Sequence, residues 1–244
     1  AINAQATKLR KDMLDIETRM AALKAAGAEG GKEGGAAPAG EGRPEKGVPD
    51  AAPTDAASSD GTRPPGASKT VVDLQFLDAE RARLRGVIVG LAQRSIDADP
   101  LNPRPYRLLG ELAPTVDEAR AFMQASHALS RRETGAVFWL LVDAAARKDE
   151  PAMIDYADKV LRVEPALVPY IASYVSQAAA TERGKGVAVD RLAQGPKWRI
   201  AYFQAAARRP EERRTALDLL VALKDTPHPP SAIEAGIVFS ALIS

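Results

Sequence analysis

The chain of 244 residues contains no cysteine. That excludes a disulfide framework, a thiolate zinc site and a cysteine nucleophile together, and it is equally compatible with cytoplasm or periplasm. Charge of one sign is lacking as well. Thirty-three basic residues oppose 32 acidic ones for a formal net charge of +1, so no large single-sign field exists to steer nucleic acid or anionic lipid. Long apolar runs are missing too. Two uncharged ones, Gly135 to Val142 and Ala235 to Ser244, fall far short of the roughly 20 residues a membrane-spanning helix needs.

Catalytic and metal chemistry are scarce. The only histidines are His127 and His228, and neither has a second nitrogen or sulfur ligand at metal-binding spacing. His127 reads as partly exposed helix packing, and His228, between Pro227 and Pro229, as loop. No nucleophile elbow, zinc-helix motif or dinucleotide glycine fingerprint occurs, and the carboxylates are scattered over charged faces. Gly61 and Gly66 have the spacing of a phosphate loop, but Ala67 stands where lysine is required, and Lys69-Thr70 come two residues late. The expectation is a non-enzymatic chain with no catalytic residue, cofactor or metal site.

What is present falls into four stretches. Residues 1–26 carry Ile2, Leu9, Ile16 and Leu23 seven apart, with Ala6, Met13 and Met20 as a second row. That is a short heptad seam, read as a coiled-coil helix that self-associates through Ile2, Leu9, Met13, Ile16, Met20 and Leu23, with a single amphipathic helix lying on its own domain as the alternative. Residues 27–70 are rich in Gly, Pro, Ala and Ser, leave almost nothing to bury, and read as a disordered linker. From residue 71 onward apolar residues recur at three and four with prolines at the joints, which predicts an all-α fold. This part is large enough to bury a core without disulfide or metal.

An internal period can be stated by subtraction. Ala119, Met123 and Ser126 recur thirty-four residues later as Met153, Ala157 and Val160. Val137, Leu140, Leu141 and Ala144 recur at the same offset as Ile171, Tyr174, Val175 and Ala178. The period is that of a helix pair.

The segment DPLNPRPYRLLGELA, from Asp99 to Ala113, resembles the joint and first helix of a tetratricopeptide repeat, through Pro100, Tyr106, Leu109, Gly110 and Ala113. Lys148 to Pro165 resembles the turn, second helix and terminal proline of the same repeat, and Ile88, Ala92, Ser95 and Pro100 repeat that spacing upstream. The resemblance implies helix pairs over 71–180, with Gly110 letting the second helix approach the first. One departure is that Ala113 and Ala119 are three residues closer than the family pattern, with Pro114 between, so that first helix must end early. Residues 181–244 read as degenerate repeats or a cap. There, residues 184–196 would make at most a short helix, and further helices are expected at Lys197–Arg208, Pro210–Lys224 and Ser231–Ile243.

Stacked helix pairs curve, and the first helix of each pair lines a concave face. On that face the expected partner-binding groove comprises Arg104, Arg107 and Glu111, then Phe138 and Val142, then Ala172 and Ser176. Arg104 and Arg107 match the cations with which relatives grip a terminal carboxylate. The next repeat offers no second cation or amide, so an apolar or helical protein segment is the favoured occupant. The basic run ARRPEERR, Ala207 to Arg214, reads as a solvated and mostly self-neutralised surface.

Coiled coil, linker and helical repeats in this order are similar to bacterial periplasmic proteins that work with the Tol machinery in envelope constriction. Gly195 to Arg208 also resembles repeat proteins of alphaproteobacterial envelope polysaccharide systems. These resemblances imply an adaptor or scaffold of the cell envelope, periplasmic or anchored in the inner membrane facing the periplasm. A start without methionine and a stop in mid-pattern suggest a processed fragment. Two alternatives stand beside the adaptor: a permanent structural subunit packed through its C-terminal helices, and the helical part of a longer enzyme.

Overall fold

The computed structural model describes residues 2–29 and 69–243, and every regular element among them is helical. Contacts divide the chain into two compact units, one of Ala4–Ile88 and one dominated by Val89–Ser244. No helix of the described residues is long and apolar enough to cross a membrane.

The first unit is built from α1 (Ile2–Glu29) and the N-terminal two-thirds of α2 (Lys69–Ala98). Ile16 and Met20 of the heptad seam are buried with Leu77 and Leu84 of α2, and Met13 and Leu74 pack alongside. A seam of this kind pairs with a second copy when its own chain offers no apolar partner. In the structure α2 is that partner, because Leu74, Leu77 and Leu84 share one helical face. Ile16 and Met20 are thus covered without a second copy. The side chains of Ile2, Leu9 and Leu23 lie outside the described residues, as does residues 30–68 of the expected linker, including the glycines of the phosphate-loop near match. Residues 27–29 prolong α1, and Lys69 opens α2.

The second unit adds α3 (Pro103–Leu112), α4 (Val116–Leu129), α5 (Thr134–Ala146), α6 (Glu150–Val163), α7 (Val168–Ala179), α8 (Glu182–Leu192), α9 (Arg199–Ala207), α10 (Arg213–Ala222) and α11 (Ala232–Ile243). Helices next to each other in sequence pack together from α3 through α8; α6 also meets α8, and α7 also meets α9. The starts are set by local chemistry. Asn102 accepts from the Arg104 amide, Thr115 from Glu118, Asp149 from Ala152 and Thr181 from Gly184, each such cap contributing about 1 kcal/mol. Helix α3 stops at Leu112, ahead of Pro114, so the helix ends early as the spacing required.

Burial repeats at the thirty-four-residue offset. Ala119, Met123 and Ser126 are buried, and so are Met153, Ala157 and Val160; Val137, Leu141 and Ala144 are matched by Ile171, Val175 and Ala178. Gly110 stands where α3 and α4 meet. A Cβ there would come within 3.0 Å of Met123 Cε and 3.2 Å of the Ala119 carbonyl oxygen. The main core runs from α5 to α11, with Trp198, Tyr202 and Phe203 among its largest fully buried side chains.

The last helix is fastened by one buried ion pair. Arg199 Nε and Nη2 each donate to the Glu234 carboxylate at 2.7 Å. Nη1 donates to the carbonyls of Leu192 (3.0 Å) and His228 (2.9 Å), and Nη2 also to Pro229 (3.1 Å). All five guanidinium N–H donors are thereby used. Ser231 and Glu234 cap α11 reciprocally: the Glu234 amide donates to Ser231 Oγ, and the Ser231 amide and hydroxyl donate to Glu234 Oε2.

Candidate interaction surface

The expected groove residues do not share one surface. Arg104 is exposed near the start of α3. Arg107, one turn on, lies against two carboxylates: it pairs with Glu111 in the same helix and, through Nε, with Glu133 at 2.8 Å before α5. A guanidinium already facing two carboxylates has little residual field for a peptide carboxylate. On α5, Phe138 and Val142 lie one turn apart and are 36% and 40% exposed. Trp139, between them in sequence, turns the other way and packs on the cluster of Met123, Ala136 and Leu140.

Ala172 and Ser176, the third pair expected in the groove, are buried instead. Helix α9 and the turn before α10 cover the part of α7 that carries them. Ser176 Oγ donates to Glu212 Oε2 at 3.0 Å and shares a 3.1 Å hydrogen bond with the Tyr202 hydroxyl. Burial pushes the Tyr202 hydroxyl well above the usual tyrosine range, so it stays a neutral donor. Arg209 completes the set by pairing with Glu212 Oε1 at 3.1 Å. Within the basic run after Ala207, Arg209 is neutralised by Glu212, whereas Arg213 donates to the Ala207 carbonyl and Arg214 pairs with Asp218 beyond the run; the run is not all solvated, because Glu212 is interior. The expected groove reduces to the α3–α5 face, with an ion-paired end and an apolar pair beside it.

The two histidines have different settings. His127 is partly buried at the end of α4, edge-on to Tyr156 with ring centroids 6.4 Å apart. Burial, then the nearby Lys159 and Arg131 cations, hold it below the usual histidine range, with Asp155 opposing. His228 lies in the loop before α11, where its backbone carbonyl serves Arg199. Among the described residues no group of three or more His, Asp or Glu side chains is placed to hold a metal ion.

One structural pairing is legible in the sequence itself: Ser231 and Glu234 stand at the spacing of a capping box. Nothing local announces that Arg199 lies opposite Glu234. No family model matches the chain, and comparison with the curated proteins and with solved structures finds no match.

Proposed function

We propose that the chain is a non-enzymatic protein-interaction scaffold, built on tetratricopeptide-like helix pairs, that holds an apolar segment of a partner protein against the α3–α5 face. The exposed pair Phe138 and Val142 carries this reading. Two large apolar side chains one turn apart on a helix that is otherwise well packed suit a partner helix or extended segment. The neutralisation of Arg107 by Glu111 and Glu133 argues against capture of a terminal carboxylate. Support for repeated helix pairs comes from the recurrence of buried positions thirty-four residues apart. A bacterial envelope location is part of the proposal and rests on the resemblances of the domain order and of Gly195 to Arg208.

The test is affinity capture from the source cells with the intact chain and with a Phe138→Glu/Val142→Glu variant. A defined protein retained by the first and reduced at least about tenfold with the second is the expected result. The same set retained by both would refute the α3–α5 face as the binding surface.

A second reading has its own observation. Helix α11 buries Glu234 and Val238 against the core, yet Ile233, Phe239, Leu242 and Ile243 are exposed. A helix apolar on both sides favours a permanent structural subunit covered there. Under that reading, sedimentation equilibrium shows concentration-dependent association that Phe239→Lys abolishes; under the adaptor reading the chain stays monomeric at all concentrations.

A further inference from the structure

Helices α4, α6 and α8 border a cleft of about 690 Å³ at their C-terminal ends. Four cations line it from three separate segments: Arg131 just after α4, Lys159 and Arg162 on α6, and Arg191 on α8. Only two carboxylates accompany them, Asp155 and Asp158, an excess of two positive charges in one cleft of a chain whose whole net charge is +1.

Both carboxylates are already engaged. Asp155 pairs with Lys159 at 2.7 Å and Arg191 at 2.9 Å. Asp158 accepts from Arg162 Nε at 2.8 Å and from Trp198 Nε1 at 3.0 Å. Arg131 has no hydrogen-bond or ion-pair partner among the described residues. The ordinary role of basic residues at helix C-termini is to complement the macrodipole. That accounts for Arg162 and Arg191, each in the last turn of its helix. It does not account for Lys159, deeper in α6, or for Arg131, beyond the end of α4.

We propose that this cleft binds the phosphate group of a small phosphorylated organic molecule. The excess charge matches a dianion, and guanidinium groups arriving from three segments suit a tetrahedral group better than a planar carboxylate. Gln194 turns its Oε1 toward Arg162 Nη2 at 3.3 Å, which leaves its amide N–H groups as further donors. The cleft is of the size that takes ligands larger than a bare ion, in a range of about 300–1,000 Å³, and Ala128 and Val163 give the organic body an apolar wall. The site lies apart from the α3–α5 face and is independent of the scaffold reading.

His127 lines the cleft and is one of only two histidines, so imidazole NMR signals report on it directly. The charged and titratable groups around it are Asp155, Tyr156 and Lys159 on α6 and Arg131 after α4. Titration of the full chain with a hexose phosphate is expected to shift the His127 signals saturably, leave those of His228 in place, and raise the His127 titration midpoint, since a nearby dianion favours imidazolium. Inorganic phosphate is expected to act in the same way, more weakly. Arg131→Glu, a change at an exposed and unpaired side chain that should leave the melting temperature unaltered, is expected to weaken hexose-phosphate binding by at least about tenfold. Arg104→Glu, the same charge change outside the cleft, should alter it less than about twofold. The proposal is overturned by an absence of saturable His127 shifts at about 10 mM hexose phosphate, by equal losses in both variants, or by succinate binding as well as the phosphate.

Discussion

Arg199→Ala is expected to lower the unfolding free energy by about 3–5 kcal/mol, the range for stranding one member of a buried ion pair. The loss reaches beyond the pair. With the guanidinium gone, the Glu234 carboxylate keeps only Ser231 as a hydrogen-bond donor, and the carbonyls of Leu192, His228 and Pro229 each lose a donor. An unpaired buried polar group costs about 1–3 kcal/mol on its own account. Arg199→Lys should recover little, because an ammonium has three donors and no fork to span the carboxylate and three carbonyls together. In a thermal melt the alanine variant should fall by roughly 10 °C. A fall of less than about 1 kcal/mol by denaturant titration would mean that α11 is not held through this arginine.

The same pair sets an acid limb. Burial raises the pKa of the Glu234 carboxyl, but the Arg199 guanidinium and the Ser231 amide and hydroxyl outweigh it, and the group lies below its ordinary 4.5. A folded value below the unfolded one contributes stability that is complete above the unfolded pKa and is lost as pH falls through the folded value. The gap in stability between the native chain and Arg199→Ala should therefore be widest above pH 4.5 and narrow below it.

Gly184→Ala should be nearly as damaging, for a steric reason. Gly184 sits in the first turn of α8, where a Cβ would come within 2.0 Å of the Ala178 carbonyl oxygen and 2.9 Å of Glu150 Cβ. The first obstacle is backbone, and it is fixed: the Ala178 carbonyl accepts from both the amide and the hydroxyl of Thr181, whose Oγ1 in turn caps Gly184. Replacing glycine by alanine within a helix gains about 1 kcal/mol in propensity. Separating α7 from α8 costs about 3 kcal/mol or more, so destabilisation wins. A variant as stable as the native chain would show that the turn between α7 and α8 relaxes freely. Gly110 is the milder case, since its nearest obstacle is the flexible end of Met123.

Gly184 also marks where local reading runs out. The glycines at 184 and 186 argue for at most a short helix, yet α8 runs for eleven residues. Its buried positions, Gly184, Ala188 and Leu192, fall on one face, so packing against α6 and α7 outweighs the weak propensity. The groove shows the same limit. Arg104, Phe138 and Val142 are exposed as their positions on the outer helical faces imply, whereas Ala172 and Ser176 hold equivalent positions in the period and are interior. What covers Ser176 lies 26 and 36 residues further along, at Tyr202 and Glu212.

By itself the sequence determined the all-helical class, the joints between helices and the thirty-four-residue recurrence of buried positions. Those are consequences of apolar spacing, prolines and capping side chains acting within a few residues of one another. Tertiary structure alone decided which faces stay open, that α2 covers Ile16 and Met20 of α1, that Arg199 meets Glu234 across 35 residues, and that four cations gather at one cleft. An amphipathic helix states which face must be covered; the identity of its cover depends on contacts between distant parts of the chain, which no local pattern encodes.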